Sequence, residues 1–286
     1  MKFNELDWVD FLRKKAGRGK DVLIGIGDDC AQVRVGKEKL LLKSDLFIEG
    51  IHFKKNKIDF KTIGMRAVGR VLSDFAACAG VPKFIGVSAG ISKSLKPKDL
   101  KEILSGIVEY GKKYNFSLVG GDTSKSEKFF LDIWGVGAAK KCLSRNTARK
   151  GDYIFLTGSL GEREFNQAFR PRLKEAQFLA KNFKINAMID ISDGFIIDLF
   201  RILKMSRKGA VVYKDKVPVK SGISDFYRGE DYELIFTVDK NEKKIEALKK
   251  KFYLVGKIES GKFGYKMKKG HYFRLEDIKV KGYTHF

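Results

Sequence analysis

Histidine, cysteine and proline are scarce in this chain, with 3, 3 and 4 copies among 286 residues. The cysteines Cys30, Cys78 and Cys142 lie far apart, are odd in number and form no CxxC pair. That excludes a disulfide framework and a cysteine-rich zinc site, and it fits a reducing compartment. His52, His271 and His285 are too scattered for a histidine metal centre. With so few prolines and no low-complexity tract, little internal disorder is expected. No run approaches about 18 uninterrupted apolar residues, so no membrane-spanning helix is expected. The first residues place acids among their apolar positions and lack a signal peptide's apolar centre, so the chain reads as cytoplasmic. Also missing are GxxxxGK(S/T), HExxH and GxSxG, which removes P-loop, zincin and serine-hydrolase chemistry. Gly25-Ile26-Gly27 runs into Asp28-Asp29 and not into a helix with a third glycine, which argues against a dinucleotide fold.

What is present is a large apolar stock and an excess of positive charge. The chain is 43% hydrophobic, with 23 Phe and 10 Tyr, enough for a substantial core. Its length suits about two domains. Lys and Arg number 58 against 35 Asp and Glu, a formal net charge of +23. Such an excess admits anionic partners, whether nucleic acid, membrane surface or phosphorylated small molecules. The lysines, however, are scattered singly or in short runs, as at Lys14-Lys15 and Lys112-Lys113, which reads as a solvated surface more than as a nucleic-acid groove.

Strand-like and helix-like segments alternate. Apolar runs of strand length occur at 22–26, 39–42, 83–91, 116–119, 129–136, 152–157, 187–189, 232–238 and 252–258. Helical spacing appears at 60–79, from Pro97 to near Gly111, at 172–182, at 195–205 and in the Lys/Glu-rich stretch 240–251. A basic loop from Lys140 to Lys150 separates two halves, giving domains 1–138 and 139–286. The expected class is α/β of the α+β type, each half burying the apolar faces of its sheet and helices against one another.

The acids recur in one local setting. Gly27-Asp28-Asp29, Ser44-Asp45, Ser73-Asp74, Gly121-Asp122, Asp190-Ile191-Ser192-Asp193-Gly194 and Gly229-Glu230-Asp231 each put Gly or Ser beside an acid, mostly after a strand-like run. Asp and Ser beside Gly are also ordinary turn and cap residues. Asp29 reads as such a cap or an outward charge more than Asp28 does. Asp74 is different, because it interrupts an apolar helical stretch where an unpaired charge is costly. Six such settings in a basic chain suggest converging oxygen ligands for Mg²⁺ and phosphate. His52, in Gly50-Ile51-His52-Phe53, reads either as a half-buried histidine or as a donor to an anionic substrate.

These segments, taken in order with the terminal Gly282-Tyr283-Thr284-His285-Phe286, resemble the thiamine-monophosphate kinase family of the AIR synthetase (PurM-like) superfamily. The resemblance implies a two-domain PurM-like fold and a homodimer whose N-terminal sheets pair. It implies ATP-dependent phosphorylation of thiamine monophosphate to thiamine diphosphate with several Mg²⁺ ions. By position, Asp28, Ser44, Asp45, Asp74, Asp122, Asp190 and Asp193 would bind metal, with Asp45, Asp74 and Asp122 central to catalysis. Gly121, Asp122, Arg145 and Ser192 would contact ATP; His52, Glu230 and Tyr283 would contact thiamine monophosphate. Three departures stand out. Lys43 replaces the usual Ser or Thr before Ser44, Arg145-Asn146-Thr147-Ala148 replaces Arg-Ser-Gly-Ala, and segments 160–186 and 215–229 are short. The rivals are AIR synthetase within the superfamily and, outside it, a basic nucleic-acid-binding protein that kept the fold.

Overall fold

The computed structural model describes residues 5–17, 19–260, 265–267 and 272–273. Two mixed sheets, one in each half, form the frame. The first holds β1 (Val22–Ile24), β2 (Ala31–Val35), β3 (Glu38–Ile48), β4 (Val81–Ile91), β5 (Ser117–Gly120), β6 (Thr123–Lys125) and β7 (Phe130–Ala138). Its order is β1-β2-β3-β7-β4-β5, with β6 also on β4. The second holds β8 (Tyr153–Leu156), β9 (Ile185–Asp190), β10 (Gly209–Val212), β11 (Leu234–Val238), β12 (Tyr253–Glu259), β13 (Tyr265–Met267) and β14 (Tyr272–Phe273), in the order β14-β13-β10-β12-β8-β11-β9. The helices are α1 (Glu5–Ala16), α2 (Phe60–Ala77), α3 (Pro97–Tyr114), α4 (Leu173–Asn182), α5 (Phe195–Ser206) and α6 (Ile245–Lys249). Among the described residues no helix is long and apolar enough to cross a membrane.

Helix α2 organises the molecule. Asp59 caps its start, its carboxylate accepting the Thr62 N–H at 2.8 Å. Of its 18 residues 14 are buried, so it has no solvent face and must be covered on every side. Part of that cover is α3, at a crossing so close that a Cβ on Gly64 would lie 2.1 Å from the Ile103 carbonyl oxygen and one on Gly106 2.0 Å from that of Lys61. On another side α2 meets β3 and β7, and on a third α4 and β9 of the second half. One apolar core therefore runs from Phe47, Val71 and Ile133 into Phe155, Met188 and Phe236. A second core packs α5 on the other face of the second sheet, around Ile154, Ile189, Leu199 and Ile235.

Two expectations are corrected. The strand expected over 39–42 does not stop before Ser44-Asp45; β3 runs on through them to Ile48, paired residue by residue with β7. Strand alternation then puts Lys43 and Asp45 on the core side and Ser44 on the other. The helix expected over 240–251 shrinks to Ile245–Lys249. Before it, the Asp239 carboxylate accepts the Asn241 N–H and that of Glu242 accepts the Lys244 N–H. Such local bonds compete with helical ones. Helix α3 also outlasts Gly111, ending on Asn115 in the left-handed conformation.

The first sheet leaves one face uncovered. Leu42, Leu46 and Phe84 are 38–48% exposed on it. Trp134 and Phe130 lie across it over Gly86 and Gly90, where an added Cβ would come within 2.1 Å of either ring.

Candidate active site

A cavity of about 1120 Å³ is lined by residues of both halves. Asp28, Asp45, Asp74, Asp190, Asp193, Arg145, Ser192, His52 and Glu230, nine of the residues singled out from sequence, line it. So do Arg13, Lys54, Lys57, Arg201, Lys204 and Arg207, which locates part of the basic excess.

Asp29, Asp74 and Asp190 each bring one carboxylate oxygen to within 4.8 Å of the others; all three are buried, and Asp74 and Asp190 line the cavity. Asp29 is the correction here. It is 2% exposed and belongs to the cluster, not to the surface. The Gly27-Asp28-Asp29 turn is held by Arg145, whose Nε donates to Asp29 Oδ2 at 3.0 Å, whose Nη2 pairs with Asp29 Oδ1, and whose Nη1 donates to the Gly27 carbonyl at 3.2 Å. The Ser144 hydroxyl and Arg145 amide both donate to Asp28. Helix α2 supplies Asp74, and Ser73 donates to Asp190 Oδ2 at 2.6 Å across the two halves. Burial, then the Asp29 charge, pushes Asp28 up to about 7 and Asp190 up to about 8; burial raises Asp74 well above the usual carboxylate range. Crowded, buried, hard oxygen donors with raised proton affinity are what a small divalent cation satisfies, and about 4.2 Å, twice the ~2.1 Å Mg–O bond, spans opposite ligands. The donor set fits magnesium.

Two cations share the acids. Lys43 Nζ lies 3.0 Å from Asp74 Oδ2 and 3.8 Å from Asp45 Oδ1. Burial works against its charge, but Asp45 and Asp74 outweigh burial and hold its pKa above the ordinary value. Arg70 Nε is 3.7 Å from Asp45 Oδ2, and Arg70 Nη1 is 3.4 Å from Glu230 Oε1 and 3.0 Å from the Tyr232 hydroxyl. Arg66, 2% exposed, pairs with Glu230 Oε2 at 2.6 Å and donates to the Gln167 carbonyl at 2.8 Å. A continuous line of charges thus runs Glu230–Arg70–Asp45–Lys43–Asp74–Asp29–Arg145.

The Glu230 backbone is held unusually. Glu230 and Tyr232 both have positive φ, 66° and 49°, and the Glu230 N–H donates to the Ser192 carbonyl at 2.8 Å. That strain sits where two chain segments must meet at the cavity. Asp198, wholly buried, accepts the N–H groups of Ser192, Asp193 and Gly194 at 3.0–3.2 Å and so shapes the Asp190–Gly194 turn. Arg201 pairs with Asp193 at 2.6 Å. His52 Nδ1 accepts the Ile48 N–H at 3.0 Å, so the neutral ring carries its proton on Nε2.

Three of the expected residues are not gathered here. Ser44 donates to Asp132 Oδ1 at 2.5 Å on the open face of the first sheet. Gly121 and Asp122 are exposed beyond β5. Gly121, with φ +153°, passes so close to β4 that a Cβ would sit 1.7 Å from the Val87 carbonyl oxygen. Tyr283 lies outside the described residues. The residues sequence reasoning missed are Asp29, Arg66, Arg70, Asp198 and Arg201. The argument that found Asp74, a charge inside an apolar helix, applies equally to Arg66 and Arg70 at spacings of four. The cysteines, remote in sequence, also meet, with the Cys78 thiol in hydrogen-bonding reach of Cys30 and Cys142.

Residues 27–139 match the family model for the AIR synthase related protein N-terminal domain, and residues 161–266 that for its C-terminal domain. The chain is 33% identical to the thiamine-monophosphate kinase of Buchnera aphidicola subsp. Schizaphis graminum, over 100% of both chains. It belongs to the thiamine-monophosphate kinase family. The Pyrococcus horikoshii thiamine-monophosphate kinase is 27% identical, over 91% of this chain and 90% of the relative. The solved structure of AaThiL complexed with AMPPCP and TMP superposes with a TM-score of 0.83 at 25% identity, covering 100% of this chain and 99% of that one. The fold is the mixed α/β, two-domain PurM-like fold of this thiamine-monophosphate kinase family.

Proposed function

We propose that this chain transfers the γ-phosphoryl group of ATP to thiamine monophosphate, forming thiamine diphosphate. As a member of its family it is a phosphotransferase. The observation that carries the reading is the line of charges around one cavity: Glu230 at one end, Arg145 at the other, and the acid cluster between them. Glu230 and His52 stand for the thiamine monophosphate end, and Arg145 and Ser192 for the ATP end. Tyr283, in the terminal segment, is proposed to pack on the thiamine ring.

Asp28, Asp29, Asp74 and Asp190 would hold magnesium, with Asp193 beside Arg201 at the edge of the set; Asp45, beside Lys43, borders it. Bound there, magnesium supplies positive charge that offsets the repulsion between the two phosphates and stabilises a loose transition state. Positioning is the chain's own part. Arg70 and Arg66 fix Glu230, Arg145 fixes the acid turn, and Ser73 fixes Asp190. His52, a lining residue of the cavity, carries its proton on Nε2 and is proposed to donate to the substrate. A phosphate monoester, with its second pKa near 6, is already ionised near neutral pH. No general base is required, and transfer is direct, without a phosphoenzyme.

The purified protein, given Mg-ATP and either thiamine monophosphate, thiamine, hydroxymethylpyrimidine phosphate or formylglycinamidine ribotide, should turn over only the first. Turnover of formylglycinamidine ribotide alone would instead identify an AIR-synthetase-like enzyme. ATP and thiamine monophosphate are cytoplasmic metabolites, and we place the enzyme with them. The division between domains is placed at residues 138 and 139, where β7 ends.

A second copy of the chain is proposed to cover the open face of the first sheet, whose exposed Leu42, Leu46 and Phe84 suit a two-fold apolar contact. Ser44, Gly121 and Asp122 would then serve the partner's cavity. In that arrangement, Asp122→Asn and Asp190→Asn homodimers are each inactive, and co-refolding the two restores about a quarter of the activity, since half the dimers are mixed and each carries one complete site. No recovery would show that Asp122 serves its own chain.

A further inference from the structure

Lys43 lies half-buried amid acids proposed above as a magnesium site, and this inference rests on that reading. Asp74 faces two places for positive charge. On one side its carboxylate joins Asp29 and Asp190. On the other its Oδ2 is 3.0 Å from the Lys43 ammonium. Asp45 has both oxygens directed at tethered cations, Oδ1 at Lys43, 3.8 Å away, and Oδ2 at Arg70, 3.7 Å away. The Lys43 side chain is only 21% exposed, and it rises from the middle of a strand paired along its length with β7. Its ammonium has three N–H donors and no lone pair. It can neutralise carboxylates and donate to phosphate oxygens, but it cannot share their space with a divalent ion.

We propose that the Lys43 ammonium holds the place of a divalent cation between Asp45 and Asp74, so that this chain carries one resident positive charge there and takes up metal only on the Asp29–Asp190 side. Two carboxylates facing each other from β3 and α2 would repel if left bare, and burial would deepen the penalty. A charge on the chain itself removes that repulsion at any magnesium concentration. Lysine carries one unit where a divalent ion carries two, and Arg70 on the far side of Asp45 supplies the second.

The test is the number of Mn²⁺ ions bound per full-length chain, counted by loss of the free-ion electron paramagnetic resonance signal. Lys43→Thr, which offers a hydroxyl where the ammonium stood, should bind one ion more than the wild type, and Lys43→Arg the same number as the wild type. In EDTA, Lys43→Thr should melt below the wild type and regain the difference on adding Mg²⁺. Equal ion counts in Lys43→Thr and wild type overturn the proposal. Should Lys43→Thr fail to fold, the wild-type background still decides. Asp45→Asn is expected to keep the full count while Asp190→Asn loses an ion, and an ion lost from Asp45→Asn overturns the proposal. A wild type that binds no Mn²⁺ at all would instead overturn the magnesium reading of the cluster.

Discussion

Asp190→Asn is expected to lower kcat by about a thousandfold or more while making the metal-free protein harder to melt. The loss follows from removing a charge from the proposed magnesium set, in a buried site where charge stabilisation dominates phosphoryl transfer. The gain follows from the same burial. Burial first, then the charge of Asp29, raises Asp190 from 3.8 to about 8. Between those values the folded chain holds a proton that the unfolded chain has released. This contribution is complete below about pH 4 and is lost as pH rises through 8. Asp28, raised to about 7, adds to the trend. In EDTA the wild type should therefore lose roughly 5–10 °C of Tm between pH 5 and pH 8 relative to the asparagine variant, whose side chain is always neutral. Ser73 can still donate to the asparagine oxygen, so the link between the halves survives. Circular-dichroism melts at three pH values, paired with turnover assays, check both halves of the prediction. A variant that melts lower at pH 8 and keeps its kcat would refute it.

Arg66→Met should act through structure and substrate affinity, with little effect on the chemical step. Arg66 anchors Glu230 at 2.6 Å, holds the Gln167 carbonyl at 2.8 Å and lies over the Phe169 ring. Removing one partner of a buried pair commonly costs about 3–5 kcal/mol, because the remaining charge stays buried. For a chain of this size that is about 10 °C of Tm. With its closer anchor gone and Arg70 remaining, Glu230 can relax from its strained backbone, and KM for thiamine monophosphate should rise at least about tenfold, with kcat changed far less. Arg66→Lys keeps the charge but loses the planar fork, so it should recover part of the Tm and little of the KM. A large fall in kcat at unchanged KM would place Arg66 in the chemistry and refute its positioning role.

Helix α2 was legible over nearly its full length, because its apolar spacing is a local feature. The same was true of β4, β7 and α5. The position of the acids was legible as far as type and spacing carry. What sequence could not supply was direction. In Asp28-Asp29 two adjacent carboxylates look alike on paper; the guanidinium of Arg145, more than a hundred positions away, turns Asp29 into the cluster. Lys43, Ser44 and Asp45 look like one motif, yet an extended strand sends Ser44 to the opposite side of the sheet. Arg66 and Arg70 carry no local signal in the sequence that names their partner. Their role depends on Glu230, which only the tertiary structure brings to α2.

Because α2 lies in the apolar core that runs through both halves and is bonded to Asp190 and Glu230, the two halves cannot swing apart as rigid bodies without tearing a buried helix from its cover. Entry of ATP and thiamine monophosphate must then depend on the parts of the rim that no core holds. These are the irregular stretches 54–57 and 162–168, together with α1. Substitutions that stiffen those coils are expected to slow product escape while leaving the charge frame untouched.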